Sequence, residues 1–261
     1  MQRSAVQYIV ITGASAGIGR ALALSYARDG VVLGLIGRDA ARLRDCAQDC
    51  RARGAQVIEG LIDVRDESVM KTWLDSFDDL YPIDLLIANA GTASTLSSIE
   101  DWEALERTRT VVDTNLYGTL HAVLPAIERM RTRQGGQIAL VSSLAALRGM
   151  AISPAYCASK AALKAWGDSV RPILAREGIR VSLVLPGFVK TAMSDVFPGD
   201  KPFLWSTERA ATHIQRKLAA HRAEIAFPHI LAVGMRFLAL LPAIIGDAIL
   251  ERMSYLPRKE R

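Results

Sequence analysis

The feature that most constrains this chain is a repeated alternation: short β-branched apolar runs, each followed by a longer stretch with helical spacing. The runs are YIVIT (8–12), VVLGLI (31–36), QVIEGLI (56–62), DLLIAN (84–89), QIALVSS (137–143), RVSLVLP (180–186) and AEIAF (223–227). The early runs are almost continuously apolar, which suits parallel strands covered on both faces. Helical patterns occupy 17–29, 40–53, 66–80, 100–133 with a break, and 154–177. Repeated β-α-β units at this spacing predict an α/β fold, a doubly wound parallel sheet of about seven strands with helices on both faces and right-handed crossovers. No linker, low-complexity stretch or close repeat interrupts the pattern, so residues 1–261 are expected to form a single domain.

Composition narrows the function. Half of the residues are apolar, enough for a large core. The net charge of +5 comes mainly from scattered arginines, with no lysine-rich block interleaved with aromatics. Nucleic acid is therefore not an expected partner, whereas a phosphate-bearing small ligand fits. Three cysteines, Cys46, Cys50 and Cys157, form no disulfide framework, and the first two supply at most two metal ligands. The histidines at 121, 213, 221 and 229 show no ligand spacing, so no metal is expected. The amino terminus runs straight into a strand pattern without a cleavage-site signature, and a reducing, cytoplasmic setting is the expectation.

The first strand ends in TGASAGIG (12–19). Gly13, Gly17 and Gly19 fall between strand and helix, where a sharp turn brings backbone close to a pyrophosphate and the helix N-terminus faces the anion. At the end of the second strand stands Arg38, which suits a 2′-phosphate and favours NADP(H) over NAD(H). Asp39 next to it is the alternative, a ligand for the ribose hydroxyls of NAD(H). Ser153 followed by Pro154 reads as an N-cap and first helical residue. Tyr156 then lies in the first turn, with Lys160 one turn on over the same face. A nearby ammonium and a helix N-terminus both favour phenolate, so this spacing suits a tyrosine general acid tuned by lysine. Ser143 ends an apolar strand at the edge that faces the ligand crevice, where its hydroxyl can hold a carbonyl oxygen. Ser142 points the other way along the pleat, leaving one of the two structural. Asn115 opens an apolar helical run, as an N-cap also would.

With TGASAGIG, Asp63 in LIDV, ANAG (88–91), Asn115 in NLYG, VSS (141–143), YCASK (156–160) and PGFVKT (186–191) in this order, the chain resembles the single-domain short-chain dehydrogenase/reductase family, up to about residue 191. The resemblance implies a Rossmann-type fold and hydride transfer between a nicotinamide and a carbonyl or secondary alcohol. It implies that Gly13, Ser15, Gly17, Ile18 and Gly19 wrap the cofactor phosphates, and that Asp63 and Val64 meet the adenine. Asn89, Ala90 and Gly91 would line the adenosine side, and Pro186, Gly187, Val189 and Thr191 the nicotinamide end. Asn115, Ser143, Tyr156 and Lys160 would form the catalytic group, with Lys160 also holding the nicotinamide ribose. The basic residue that many NADP-preferring members carry in the glycine turn is Ala16 here, which leaves Arg38 to carry that preference.

Substrate choice is expected after Thr191. Residues 192–222 read as a lid, with Met193, Phe197, Phe203, Leu204 and Trp205 as apolar pocket wall. The run at 228–250 is apolar but interrupted by Arg236, Pro242 and Asp247, which predicts two shorter helices rather than a membrane span. Those helices suit capping of the active site, subunit packing in a homodimer or homotetramer, or peripheral membrane contact beside the basic tail PRKER. Three readings stay open: an NADP(H)-dependent carbonyl reductase, a catalytically idle dinucleotide sensor or scaffold, and a membrane-peripheral reductase of a lipid or steroid-type substrate.

Overall fold

The computed structural model describes residues 7–96, 101–197 and 200–252. The seven runs form one parallel sheet of strands β1 (Tyr8–Thr12), β2 (Val32–Gly37), β3 (Gln56–Leu61), β4 (Leu85–Ala88), β5 (Gly136–Val141), β6 (Ile179–Pro186) and β7 (Glu224–Phe227), in the order β3-β2-β1-β4-β5-β6-β7. Strand limits differ from the sequence expectation by at most two residues. Helices cover both faces. On one, α1 (Gly17–Tyr26), α2 (Ala40–Arg51) and α8 (Thr207–Ala219) bury Leu22, Leu43 and Ile214 against Ile9, Leu33 and Ile225. On the other, α3 (Glu67–Leu80), α5 (Gly118–Thr132) and α6 (Pro154–Ala175) bury Met70, Ala126 and Leu163 against Val10, Leu86 and Leu140. Strand order reverses between β1 and β4, and in such sheets the ligand crevice opens beyond the carboxyl ends of the strands at that point.

The break expected within 100–133 is not a loop. The backbone stays helical from α4 (Leu105–Val112) through a single π-turn, Asp113–Tyr117, into α5. The expected start at residue 100 lies outside the described residues. Pro172 lies inside α6, which runs on to Ala175. Beyond β6, a short helix α7 (Ala192–Asp195) is capped reciprocally by Thr191 and Ser194. The apolar C-terminal run forms α9 (His229–Leu240) and α10 (Ala243–Arg252), parted at Pro242 as expected. Among the described residues, no helix is long and apolar enough to cross a membrane. The tail PRKER lies outside the described residues.

One side chain ties the crevice floor together. Thr12 ends β1 with 2% exposure, and its Oγ1 accepts the amide protons of Asn89 and Ala90, both at 3.0 Å. Asn89 returns its side-chain amide to the carbonyls of Thr12 and Gly13, at 3.1 and 3.3 Å. Thr12→Val keeps the shape but strands both amides, so it should cost about 1–3 kcal/mol in urea unfolding. A loss under about 0.5 kcal/mol would show that this tie contributes little.

Candidate active site

The strand ends line a cavity of about 590 Å³. At one end the turn after β1 provides bare backbone. Gly13 adopts φ +67°, and a Cβ on Gly19 would sit 2.2 Å from the Gly13 carbonyl oxygen, so only glycine permits this close wrap. Ala16, at the N-cap of α1, offers no side-chain acceptor, and the first turn of α1 holds no acid. That leaves a helix N-terminus suited to an anion. Ser15, Ile18, Arg38, Asp63 and Val64 line the same end, with Asn89, Ala90 and Gly91 between it and the centre. The donor set and the glycine cradle fit a dinucleotide.

Asp39 is already engaged. Its carboxylate caps α2 through the Arg42 amide at 3.0 Å and pairs with Arg42 Nε at 2.6 Å. Asp63 is likewise paired, with Arg65 Nη2 at 2.6 Å, and the Arg65 guanidinium holds its carboxyl below the usual range.

At the cavity's centre, β5 and α6 bring Ser143, Tyr156 and Lys160 together. Lys160 is 3% exposed; its Nζ donates to the Val141 carbonyl at 2.9 Å and stands 5.8 Å from the centre of the Tyr156 ring. Ser142 is the structural member of the serine pair, its buried hydroxyl donating to the Lys160 carbonyl at 2.8 Å. Ser143 faces the cavity, and its Oγ accepts from the Ala145 amide at 3.1 Å. Asn115 does not cap a helix. It sits fully buried in the π-turn, where its side chain exchanges two bonds with the Thr92 backbone, at 2.7 and 2.9 Å, and donates to Ser159 Oγ at 3.0 Å.

The expected direction of the tyrosine shift is reversed. Burial pushes the Tyr156 phenol up to about 12, with the Ser143 hydroxyl acting weakly the other way. Burial also pulls Lys160 down from 10.5 to about 8. Removing both groups from water opposes their charged forms.

Ser153 is a second correction. It sits at the N-cap position of α6, but its hydroxyl donates to the Ser94 carbonyl instead of capping the helix. Glu103 takes that task, accepting the Ala155 amide at 2.7 Å. It lies 52 residues upstream, so no local pattern could reveal it. Ser159 and Arg42, which also lines the dinucleotide end, were not singled out by sequence reasoning either.

Pro186, Gly187, Val189, Thr191, Met193 and Phe197 all line the cavity, Phe197 edge-on to Tyr156 at 5.6 Å between ring centres. Phe203, Leu204 and Trp205 do not. Phe203 is 54% exposed, and Trp205 stacks on Phe227 at 4.8 Å with the Arg209 guanidinium on its ring. Trp205 is held there by backbone hydrogen bonds to Phe188 and Lys190 around an isolated bridge with Val189. The missing part of the wall comes from α9 and α10, including Leu231, Met235, Leu238 and Ile249.

A family model described as short chain dehydrogenase matches residues 7–201. The chain belongs to this family, whose members are oxidoreductases that use a nicotinamide dinucleotide. An uncharacterized oxidoreductase of Myxococcus xanthus is 36% identical over 249 residues, covering 94% of this chain and 96% of that one. The crystal structure of a 3-ketoacyl-ACP reductase from Sinorhizobium meliloti matches with a TM-score of 0.74 at 28% identity, covering 84% of this chain and 96% of that one. The crystal structure of levodione reductase, 21% identical, shares the fold with a TM-score of 0.76, covering 86% of this chain and 96% of that one.

The buried lysine gives a pH signature. In the unfolded chain Lys160 keeps its proton to about 10.5, but in the fold only to about 8. Between these values the unfolded state binds more protons, so stability rises with pH; below about 8 the burial penalty is in full force. Relative to Lys160→Met, the wild type should gain on the order of 3 kcal/mol between pH 8 and pH 10.5 in urea unfolding. A constant difference across that range would mean the ammonium is solvated.

Proposed function

We propose that this chain is an NADP(H)-preferring oxidoreductase that interconverts a carbonyl and a secondary alcohol, with Ser143, Tyr156 and Lys160 as its catalytic residues and Asn115 positioning them. The observation that carries the reading is the meeting of Ser143, Tyr156 and Lys160 in one cavity with the glycine cradle. The carbonyl-reducing name of the Sinorhizobium relative supports the same reaction class. The cradle, with Pro186, Gly187, Val189 and Thr191, would hold the dinucleotide, which would supply or accept the hydride.

The protein's own part is to hold oxygen and proton. The Ser143 hydroxyl donates to the substrate oxygen as negative charge builds there. Tyr156 is a neutral phenol at physiological pH, because burial holds it near 12, and so has a proton to deliver to the developing alkoxide. The Lys160 ammonium, 5.8 Å from the ring, then stabilises the phenolate left behind. Asn115 is a positioning residue: through Ser159 and Thr92 it locks the first turns of α6 against the loop that follows β4. Of the segment expected as a lid, Ala192, Met193, Ser194 and Phe197 wall the substrate end, whereas α8 packs on the sheet; the whole chain works as one catalytic unit.

Two features favour NADP(H). Arg38 and Arg42 both line the adenosine end, and the Asp39 carboxylate is spent on capping α2 and pairing with Arg42. A ribose 2′-phosphate gains two cations there, whereas a free 2′-hydroxyl meets a carboxylate already engaged.

Fluorescence titration should show NADPH binding at least about tenfold tighter than NADH, with the gap closing in Arg38→Ala. Tighter NADH would overturn the preference. Tyr156→Phe should lower kcat by at least about a thousandfold while leaving dinucleotide affinity within about threefold; retained turnover would sink the catalytic assignment. For reduction, kcat/KM should be level below about pH 8 and fall above it as Lys160 loses its charge, whereas a profile level to pH 10 would remove Lys160 from this role.

A further inference from the structure

The cavity is chemically divided. Its charged lining residues, Arg38, Asp39, Arg42 and Asp63, gather at the end built by the first three strands, and Lys160 marks the middle. Beyond Tyr156 the lining changes character: Met150, Phe188, Met193 and Phe197 give way to the α9–α10 wall, and among the described residues no charged side chain lines this part. Leu231 and Met235 pack with Ala232 on Leu144 and Leu185, which anchors α9 to the turn directly after Ser143. The Arg148–Asp247 ion pair, at 2.5 Å, ties α10 to the segment after β5. The wall is thus fastened to the elements that carry Ser143 and Tyr156.

Two wall residues also reach the outside. Phe237 and Ile249 line the cavity yet are 64% and 39% exposed, so its apolar lining continues outward as an apolar rim. A polyol or sugar here would surrender its water for a surface with few hydrogen-bonding groups, a costly exchange. An alkyl body loses nothing by entering and gains by burial.

The geometry points to a substrate whose reacting carbonyl or carbinol carbon ends a long apolar body, with α9 and α10 as the wall that receives that body. This substrate class rests on the hydride-transfer reading above. The C-terminal segment 228–250 lies beyond residues 7–201, which the family model matches.

The test is a series of straight-chain methyl ketones, from butanone to dodecanone, reduced with NADPH by the full chain. The expected result is a kcat/KM that rises about threefold with each added methylene before levelling off. Leu241→Asp, which places a carboxylate in the wall, should cut the dodecanone-to-butanone ratio at least about tenfold. An NADPH titration of that variant checks that it is folded. A flat or falling profile, with butanone turned over, overturns the apolar-body inference and leaves the hydride-transfer reading standing. So does faster reduction of a ketose than of dodecanone. If no ketone is reduced and none of the matching secondary alcohols is oxidised, although NADPH binds, the hydride-transfer reading itself fails and this inference falls with it.

Discussion

A buried ammonium is among the most expensive groups a fold can hold, and the centre of this molecule is organised around one. Lys160 lies under the sheet's carboxyl edge with the Val141 carbonyl as its hydrogen-bond acceptor. Its helix is fastened there by groups from three directions: Ser142 of the β5 edge holds the Lys160 carbonyl, Asn115 of the π-turn holds Ser159, and Glu103 caps the first turn. Slackening any of these would let the lysine reach water and relieve the penalty. The contacts therefore act together to keep a charge where solvation would otherwise draw it away.

The same exclusion of water sets the state of the tyrosine. Desolvation keeps Tyr156 neutral and holds Lys160 within reach of neutral pH, a pairing that suits a proton donor standing by a charge that can come and go. The surroundings that do this are apolar: Phe197 lies edge-on to the ring, and Val111, Ala145 and Ala155 pack around it. Stability and chemistry pull against each other at this point, as is common where a site depends on perturbed groups.

Much of this was legible in the residues. Long β-branched runs can hardly be anything but covered strands, so all seven appear within two residues of their expected limits. The glycine turn was legible because backbone geometry there depends on the absence of a Cβ, a property of the residue itself. Other readings depended on partners that no local pattern contains. Ser153 has the right type for a cap, yet its hydroxyl found the Ser94 carbonyl, and a distant glutamate took its place. Trp205 has the right type for a pocket wall, yet a backbone bridge with Val189 holds it on Phe227. Asp39 has the right type for a ribose ligand, yet capping its own helix left its carboxylate engaged.

What the sequence by itself determined is the order and type of the elements, the cradle after β1, and the candidates Ser143, Tyr156 and Lys160, because each follows from local periodicity, backbone freedom or short spacing. Tertiary structure decided which serine faces the cavity, how Asn115 is used, which way Tyr156 titrates, and that α9 and α10 complete the wall. These outcomes are set by burial and by contacts between residues far apart in the chain. Desolvation and long-range pairing have no signature in a short window of sequence, and they exist only once the sheet has brought its carboxyl ends together.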